Sequence, residues 1–262
     1  MLGYDLDAHV AEIYDRLITM TEDIGLLRQL IGPRTGLRVL EPFCGTGRIL
    51  IPLALDGHTV VGMDRARAML ARARTKVSAL PSGVRGRITL LEIDVLQGSW
   101  PGRFDLVVLG GNCLYELATP EEQAQVVAAA ADALRPGGYL FVDNDHMEGE
   151  LDRSWYDPPM REPVFPTGEC ADGTRLESRW RVVWYDAPRR LIRFLRRTRV
   201  TLPDGSVVER EYLQQKHPVS AKEVEEWLTR RGLTIERMLG DYEGRPYTHA
   251  APRAIFWARK GG

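Results

Sequence analysis

Glu41, Gly45, Gly47 and Asp64 are the residues whose types and spacing do chemistry together. Glu41 follows the apolar pair Val39-Leu40, the glycines come within one turn of it, and residues 49–55 then have helical character. An acid ending a buried strand, glycines in the turn and a helix directly after bring backbone N–H groups up to a ligand, while the carboxylate can accept from a cation or from hydroxyls. This is the layout of a nucleotide-type cofactor site. It departs from the dinucleotide fingerprint Gly-x-Gly-x-x-Gly, which has no acid four residues ahead of its glycines. Asp64 ends the next apolar run, 59–63, about 20 residues on, where an acid can accept both hydroxyls of a ribose or, alternatively, cap the following helix.

The surrounding apolar runs describe the scaffold. Strand-like runs at 37–40, 59–63, 88–93, 104–109 and 139–143 alternate with helical runs at 49–55, 66–79 and 120–134, with Pro120 in the first turn of the last. Such alternation implies a doubly wound α/β fold, a mostly parallel sheet with helices on both faces and a ligand across the carboxyl ends of its strands. A capped helix at 220–231 and strands at 233–239 and 254–259 complete a Rossmann-like sheet of seven strands. Residues 8–31 read as two amphipathic helices, with Val10, Ile13, Leu17 and Met20 in the first and Ile24, Leu27 and Leu30 in the second. Residues 146–217 break the alternation. Runs at 175–185, 191–202 and 206–215 read as an antiparallel meander, with Leu176, Trp180, Val182 and Trp184 on one face.

The order Glu-x-x-x-Gly-x-Gly resembles motif I of the class I methyltransferases that use S-adenosylmethionine (SAM). A second landmark, Leu134-Arg135-Pro136-Gly137-Gly138, stands at the distance expected in that family. The resemblance covers residues 37–145 and implies SAM as cofactor, S-adenosylhomocysteine as product, and a set of roles. Glu41 lies near the cofactor's amino-acid end, and Gly45 and Gly47 admit its methionine and ribose. Asp64 holds the ribose, with Arg65 and Met69 beside it. Asp94 reaches the adenine amino group with Val95 against the ring, and Gly110 closes the fourth strand. In such enzymes a leading helical segment is a lid, here 1–32, and Tyr14 within Ile13-Tyr14-Asp15 contacts the methionine part; the alternative is that Tyr14 only packs. The expected domains are 1–145 with 218–262 for SAM, and 146–217 as an antiparallel insert roofing the acceptor pocket.

One departure bears on the acceptor. Many relatives have Gly where this chain has Phe43, and Glu-Pro-Phe-Cys-Gly-Thr-Gly is similar to the spelling in nucleic-acid adenine methyltransferases. Those carry an Asp/Asn-Pro-Pro-aromatic clamp after the fourth strand, where this chain has Gly110-Gly111-Asn112-Cys113. Its Asp157-Pro158-Pro159 follows the fifth strand and is completed by Met160, so it reads as a proline-stiffened loop. The expected function is methyl transfer to a small molecule at N, O or C. A base methyltransferase, a catalytically silent SAM-binding protein and a nicotinamide oxidoreductase are the alternatives.

The chain's balance of 35 Lys+Arg against 36 Asp+Glu, a net charge of -1, gives no support for nucleic acid or an anionic membrane as partner. Its three cysteines are widely spaced and lack metal-site spacing, so neither a disulfide framework nor a metal is expected. With no leader pattern and no apolar run near the roughly 18 residues of a membrane span, a cytoplasmic location is expected. Oligomeric state is not fixed by the sequence, and a homodimer is compatible with it. Candidate bases for a protonated acceptor are His146 after the fifth strand, Tyr115 after the fourth and His217 at the end of the insert. Asp143 and Asp145 are near enough to His146 in sequence to orient its ring. Asn112, Trp155, Tyr156 and Tyr247 are the candidate acceptor residues. The arginines at 189, 190, 193, 196, 197 and 199 are a phosphate stripe or, on the bland reading, cross-strand partners of Glu177, Glu209 and Glu211.

Overall fold

The structure, a computed structural model, describes residues 6–145 and 164–262. It divides into two compact units, Met20–Glu148 with Val219–Gly262, and Met1–Thr19 with Gly149–Pro218. The sequence reading places all of 1–32 with the SAM domain, whereas the contacts group the first helix with the insert.

The larger unit is built on seven strands: β1 (Arg38–Pro42), β2 (Thr59–Asp64), β3 (Ile88–Glu92), β4 (Phe104–Leu109), β5 (Leu134–Asp145), β10 (Leu233–Leu239) and β11 (Arg253–Lys260), in the order β10-β11-β5-β4-β1-β2-β3. Only β11 runs against its neighbours. The middle strands are buried on both faces, Val39, Leu40, Val107 and Val108 being fully covered, which is why they read as unbroken apolar runs. Packed on them are α2 (Glu22–Ile31), α3 (Leu50–Leu55), α4 (Arg67–Ser78), α6 (Pro120–Ala133) and α7 (Ala221–Arg230), with a short α5 (Ser82–Arg85). Thr119 caps α6, and Ser220 with Glu223 forms a reciprocal capping box on α7, so both helices start where their sequence says.

The Leu-Arg-Pro-Gly-Gly stretch is absorbed into β5 as a bulge. Phe104 pairs with Leu134 but Leu106 with Tyr139, so two steps on β4 face five on β5. Gly137 has φ +75°, and a Cβ on Gly138 would lie 2.9 Å from the Phe104 carbonyl oxygen, so both glycines are required by the backbone.

The smaller unit is a four-stranded antiparallel sheet, β6 (Val164–Glu169), β7 (Arg175–Asp186), β8 (Leu191–Thr201) and β9 (Val207–Lys216), in chain order, with α1 (Leu6–Leu17) in contact with β6. Three details correct the sequence reading. The meander has a fourth strand, β6, whose Pro166 and Gly168 disguise it and are tolerated because it is an edge. Leu17 is 55% exposed rather than inward; Ala11 and Ile13 make the buried face of α1. A register shift between Val182 and Trp184 breaks the two-residue period, so Trp184 pairs with Arg193, whose guanidinium lies 4.5 Å from the indole centroid. Arg197 donates to Glu211 at 2.8 Å and Arg199 is opposite both Glu177 and Glu209, in line with the bland reading of the arginines.

Candidate functional site

The glycine turn of the larger unit forms at the carboxyl end of β1. Gly45 and Gly47 have φ +53° and +81°, and a Cβ on Gly47 would also crowd Ile51 at 3.3 Å. Phe43 adopts φ +60° without being glycine, at a cost on the order of 1 kcal/mol, offset by packing its ring against the main core. The turn runs on to Ile49, and α3 begins only at Leu50, later than the sequence reading has it. The first helical N–H, that of Leu50, is therefore directed to Glu41.

Glu41 is 5% exposed, and among the described residues no group hydrogen-bonds its Oε2. Burial pushes its carboxyl well above the ordinary carboxylate range; Asp23 and Asp64 push the same way, while Arg48 and the Leu50 N–H pull it down. Arg48 is itself held beneath the turn, donating from Nη1 to Asp23 Oδ1 at 2.8 Å and to the Met20 carbonyl at 2.9 Å. A buried carboxyl oxygen without a donor is a receptor for a cationic or N–H-bearing ligand group.

Asp64, at the end of β2, accepts from the N–H of Gly45 at 2.8 Å through Oδ2 and from that of Ala66 at 2.8 Å through Oδ1. The carboxylate thus ties the glycine turn to the start of the next helix, and each oxygen retains a lone pair for a further donor. Gly62 on the same strand is where Cys44 and α3 come closest: a Cβ there would lie 2.5 Å from Leu50 Cδ1 and 2.8 Å from Cys44 Sγ. Beyond β3, Asp94 accepts from Leu96 N–H at 2.9 Å and lies 3.6 Å from Arg65, while Val95 is buried in the core and Met69 is half-buried. Gly110 allows Ile49 to approach, since its Cβ would meet Ile49 Cδ1 at 2.8 Å. Glu41, Gly45, Gly47, Asp64, Arg65, Met69, Asp94, Val95 and Gly110 therefore all stand on β1–β4 or the segments that follow them.

A second polar cluster links β4, β5 and β11. Arg253 donates from Nε to Asp143 Oδ1 at 2.8 Å, from Nη1 to Asp145 Oδ1 at 2.5 Å and from Nη2 to Asn112 Oδ1 at 2.9 Å. The Tyr242 hydroxyl donates to Asp143 Oδ2 at 3.0 Å, and Gly111 N–H to the same oxygen at 3.2 Å. Burial pushes the Asp143 carboxyl up despite Arg253, and burial with Asp143 beside it pushes the Tyr242 phenol up. Asn112 sits at φ +61°, fixed by donating to Asp145 Oδ2 at 2.7 Å. Sequence reasoning named Asn112 but missed Arg253 and Tyr242; the available signal was the acidic Asp143-Asn144-Asp145 leaving a buried strand, which needs a cation somewhere. Asp143 and Asp145 are engaged by these partners.

The remaining candidates separate. Tyr115 is half-buried on a single 3-10 turn, Cys113–Glu116, directly after β4, and Tyr247 is half-buried against the main core. Tyr14 and His217 belong to the smaller unit, where Tyr14 meets Phe165 edge-on at 6.0 Å and buried His217 has Nδ1 3.3 Å from the Arg190 carbonyl. His146, Trp155, Tyr156 and the Asp157-Pro158-Pro159 loop lie outside the described residues.

Residues 39–138 match a family model described as a methyltransferase domain. A ubiquinone biosynthesis O-methyltransferase of Bordetella pertussis is 32% identical over 118 residues, 45% of this chain and 46% of that protein. The match thus spans about half the length of the curated relative. A crystal structure of a SAM-dependent methyltransferase from Clostridium acetobutylicum superposes with TM-score 0.73 at 15% identity over 97% of this chain and 98% of that one. The sugar N-methyltransferase KedS8 from Streptoalloteichus sp. gives TM-score 0.71 at 19% identity over 100% and 95% of the two chains.

Proposed function

We propose that this chain, with a methyltransferase domain at residues 39–138 set in the class I methyltransferase fold, transfers the methyl group of SAM to a small-molecule acceptor. The observation that carries the reading is the buried Glu41 Oε2 beside a turn of positive-φ glycines, a fit for the cofactor's amino-acid end. Asp64 would take the ribose hydroxyls, Asp94 and Val95 the adenine, and Arg65, Met69 and Gly110 would border it. When bound, SAM supplies an electrophilic methyl group; the chain's part is to hold the acceptor against it and exclude water.

The acceptor is a small molecule rather than a nucleic-acid base, supported by Gly110-Gly111-Asn112-Cys113 in place of a base clamp and by the net charge of -1. The relative named for ubiquinone O-methylation matches over 45% of this chain, and the sugar N-methyltransferase shares the fold, so N, O and C acceptors all stay within the proposal. Asn112 and Tyr247, with Trp155 and Tyr156, are its proposed contacts, and Tyr14 a proposed cofactor contact. The proposed setting is the cytoplasm, in keeping with three buried cysteines outside any disulfide; no helix among the described residues is long and apolar enough to cross a membrane. Incubating the protein with methyl-labelled SAM and either a metabolite extract or bulk tRNA and DNA tests the acceptor class. Label should enter the small-molecule fraction, and label in the polymers alone would refute the reading.

Two further results are expected. Because burial raises the Glu41 carboxyl, a cationic ligand group must compete with its proton, so SAM affinity should rise as pH climbs through that raised value, above the ordinary range of about 4.3. Glu41→Gln should weaken binding by about 1.5–3 kcal/mol and flatten this dependence; a wild-type affinity independent of pH would contradict it. For the base, His146→Ala should slow transfer to a hydroxyl acceptor and spare a neutral amine, with SAM affinity unchanged. Full turnover on a hydroxyl would move the role to Tyr115 or His217.

A further inference from the structure

We propose that His9, Cys170 and Asp172 form a binding site for a zinc-class divalent metal ion that clips α1 to the β6–β7 turn, a property separate from methyl transfer. The three side chains offer one ligand atom each, and these atoms all lie within 4.8 Å of one another. His9 Nε2 is 2.9 Å from Asp172 Oδ2, and Cys170 Sγ is 3.7 Å from the His9 carbonyl oxygen. A tetrahedral ion with Zn–S of about 2.3 Å and Zn–N and Zn–O of about 2.0–2.2 Å separates its ligands by roughly 3.3–3.6 Å. The histidine and carboxylate would open slightly, and no separation would need to close by more than roughly 1.5 Å.

Two of the ligands come from a turn that its own hydrogen bonds already shape. Cys170 N–H donates to the Thr174 carbonyl at 2.7 Å, Gly173 N–H to the Cys170 carbonyl at 3.0 Å, and Thr174 N–H to Asp172 Oδ1 at 2.9 Å, which turns Oδ2 toward His9. From α1, Glu12 Oε1 accepts the Ala171 N–H at 2.6 Å, fixing the helix one turn beyond His9 against the same turn. One thiolate, one imidazole and one carboxylate suit zinc or cobalt rather than the all-oxygen cations, and leave a fourth position for water. On binding, the Cys170 thiol gives its proton to solvent and the His9–Asp172 hydrogen bond is exchanged for two metal bonds, so affinity rises with pH.

The test uses the whole 262-residue chain without an affinity tag, stripped by chelator and titrated with Co²⁺. One equivalent should bring up thiolate-to-cobalt charge transfer and tetrahedral ligand-field absorption, both abolished by added Zn²⁺, and Zn²⁺ should raise Tm. Cys170→Ser should remove the charge-transfer band, and His9→Ala should weaken binding at least roughly tenfold. Cys44 and Cys113, buried in the other unit, are the internal control. A wild-type protein without the band, or a band that survives Cys170→Ser, overturns the site. Should Cys170→Ser fail to fold, Asp172→Asn on the exposed turn carries the test, and unchanged cobalt affinity in both it and His9→Ala overturns the proposal.

Discussion

Replacing Arg253 with methionine should destabilise the larger unit by about 3–5 kcal/mol, the usual cost of removing one partner of a buried ion pair. Asp143 has no solvent exposure and the Arg253 side chain 14%, so the variant leaves a carboxylate in the protein interior without its cation. Burial already raises the Asp143 carboxyl with Arg253 present. Without it the carboxyl rises further and takes up a proton in the folded state that the unfolded chain releases near the ordinary value. Stability of the variant therefore falls as pH climbs from that ordinary value through the raised one, and acid should relieve part of the defect. Urea denaturation of both proteins at several pH values checks this, and equal midpoints throughout would show that Arg253 adds nothing. Adding Asp143→Asn to the variant should recover much of the loss, because the buried charge is then gone.

Asp64→Ala should weaken SAM binding by about 3 kcal/mol or more, since two ribose hydroxyls would each lose a charge-assisted acceptor worth about 1.5–3 kcal/mol. The structure adds a second reason: the same carboxylate accepts the Gly45 and Ala66 N–H groups, so the variant also loosens the glycine turn before any ligand arrives. Asp64→Asn keeps one oxygen for one of those N–H groups and should fall between. Calorimetric titration of the three proteins gives the order, and an Asp64→Ala affinity equal to wild type would remove Asp64 from the site.

What could be read from the residues follows from how local each signal is. The central strands β1 and β4 announce themselves because burial on both faces makes each a near-continuous apolar run, and the glycine turn does so because Gly45 and Gly47 occupy backbone conformations other residues avoid. Elements hidden in the sequence depend on pairing. Nothing in Phe165-Pro166-Thr167-Gly168 resembles a strand until β7 is beside it, and the bulge at Val182/Trp184 is a property of two strands. The Arg253 cluster is the extreme case: it joins residues up to 141 positions apart through the antiparallel register of β5 and β11, in which Arg253 stands opposite Asp145. Leu17 shows the reverse failure, an apolar residue in the expected period that points outward.

Isothermal titration of the purified chain with SAM, S-adenosylhomocysteine and NAD tests the central claim most directly. The account predicts saturable one-site binding of the first two, weakened by Glu41→Gln and by Asp64→Ala, and no binding of NAD. Binding of NAD with neither SAM nor S-adenosylhomocysteine bound at millimolar concentration would contradict it.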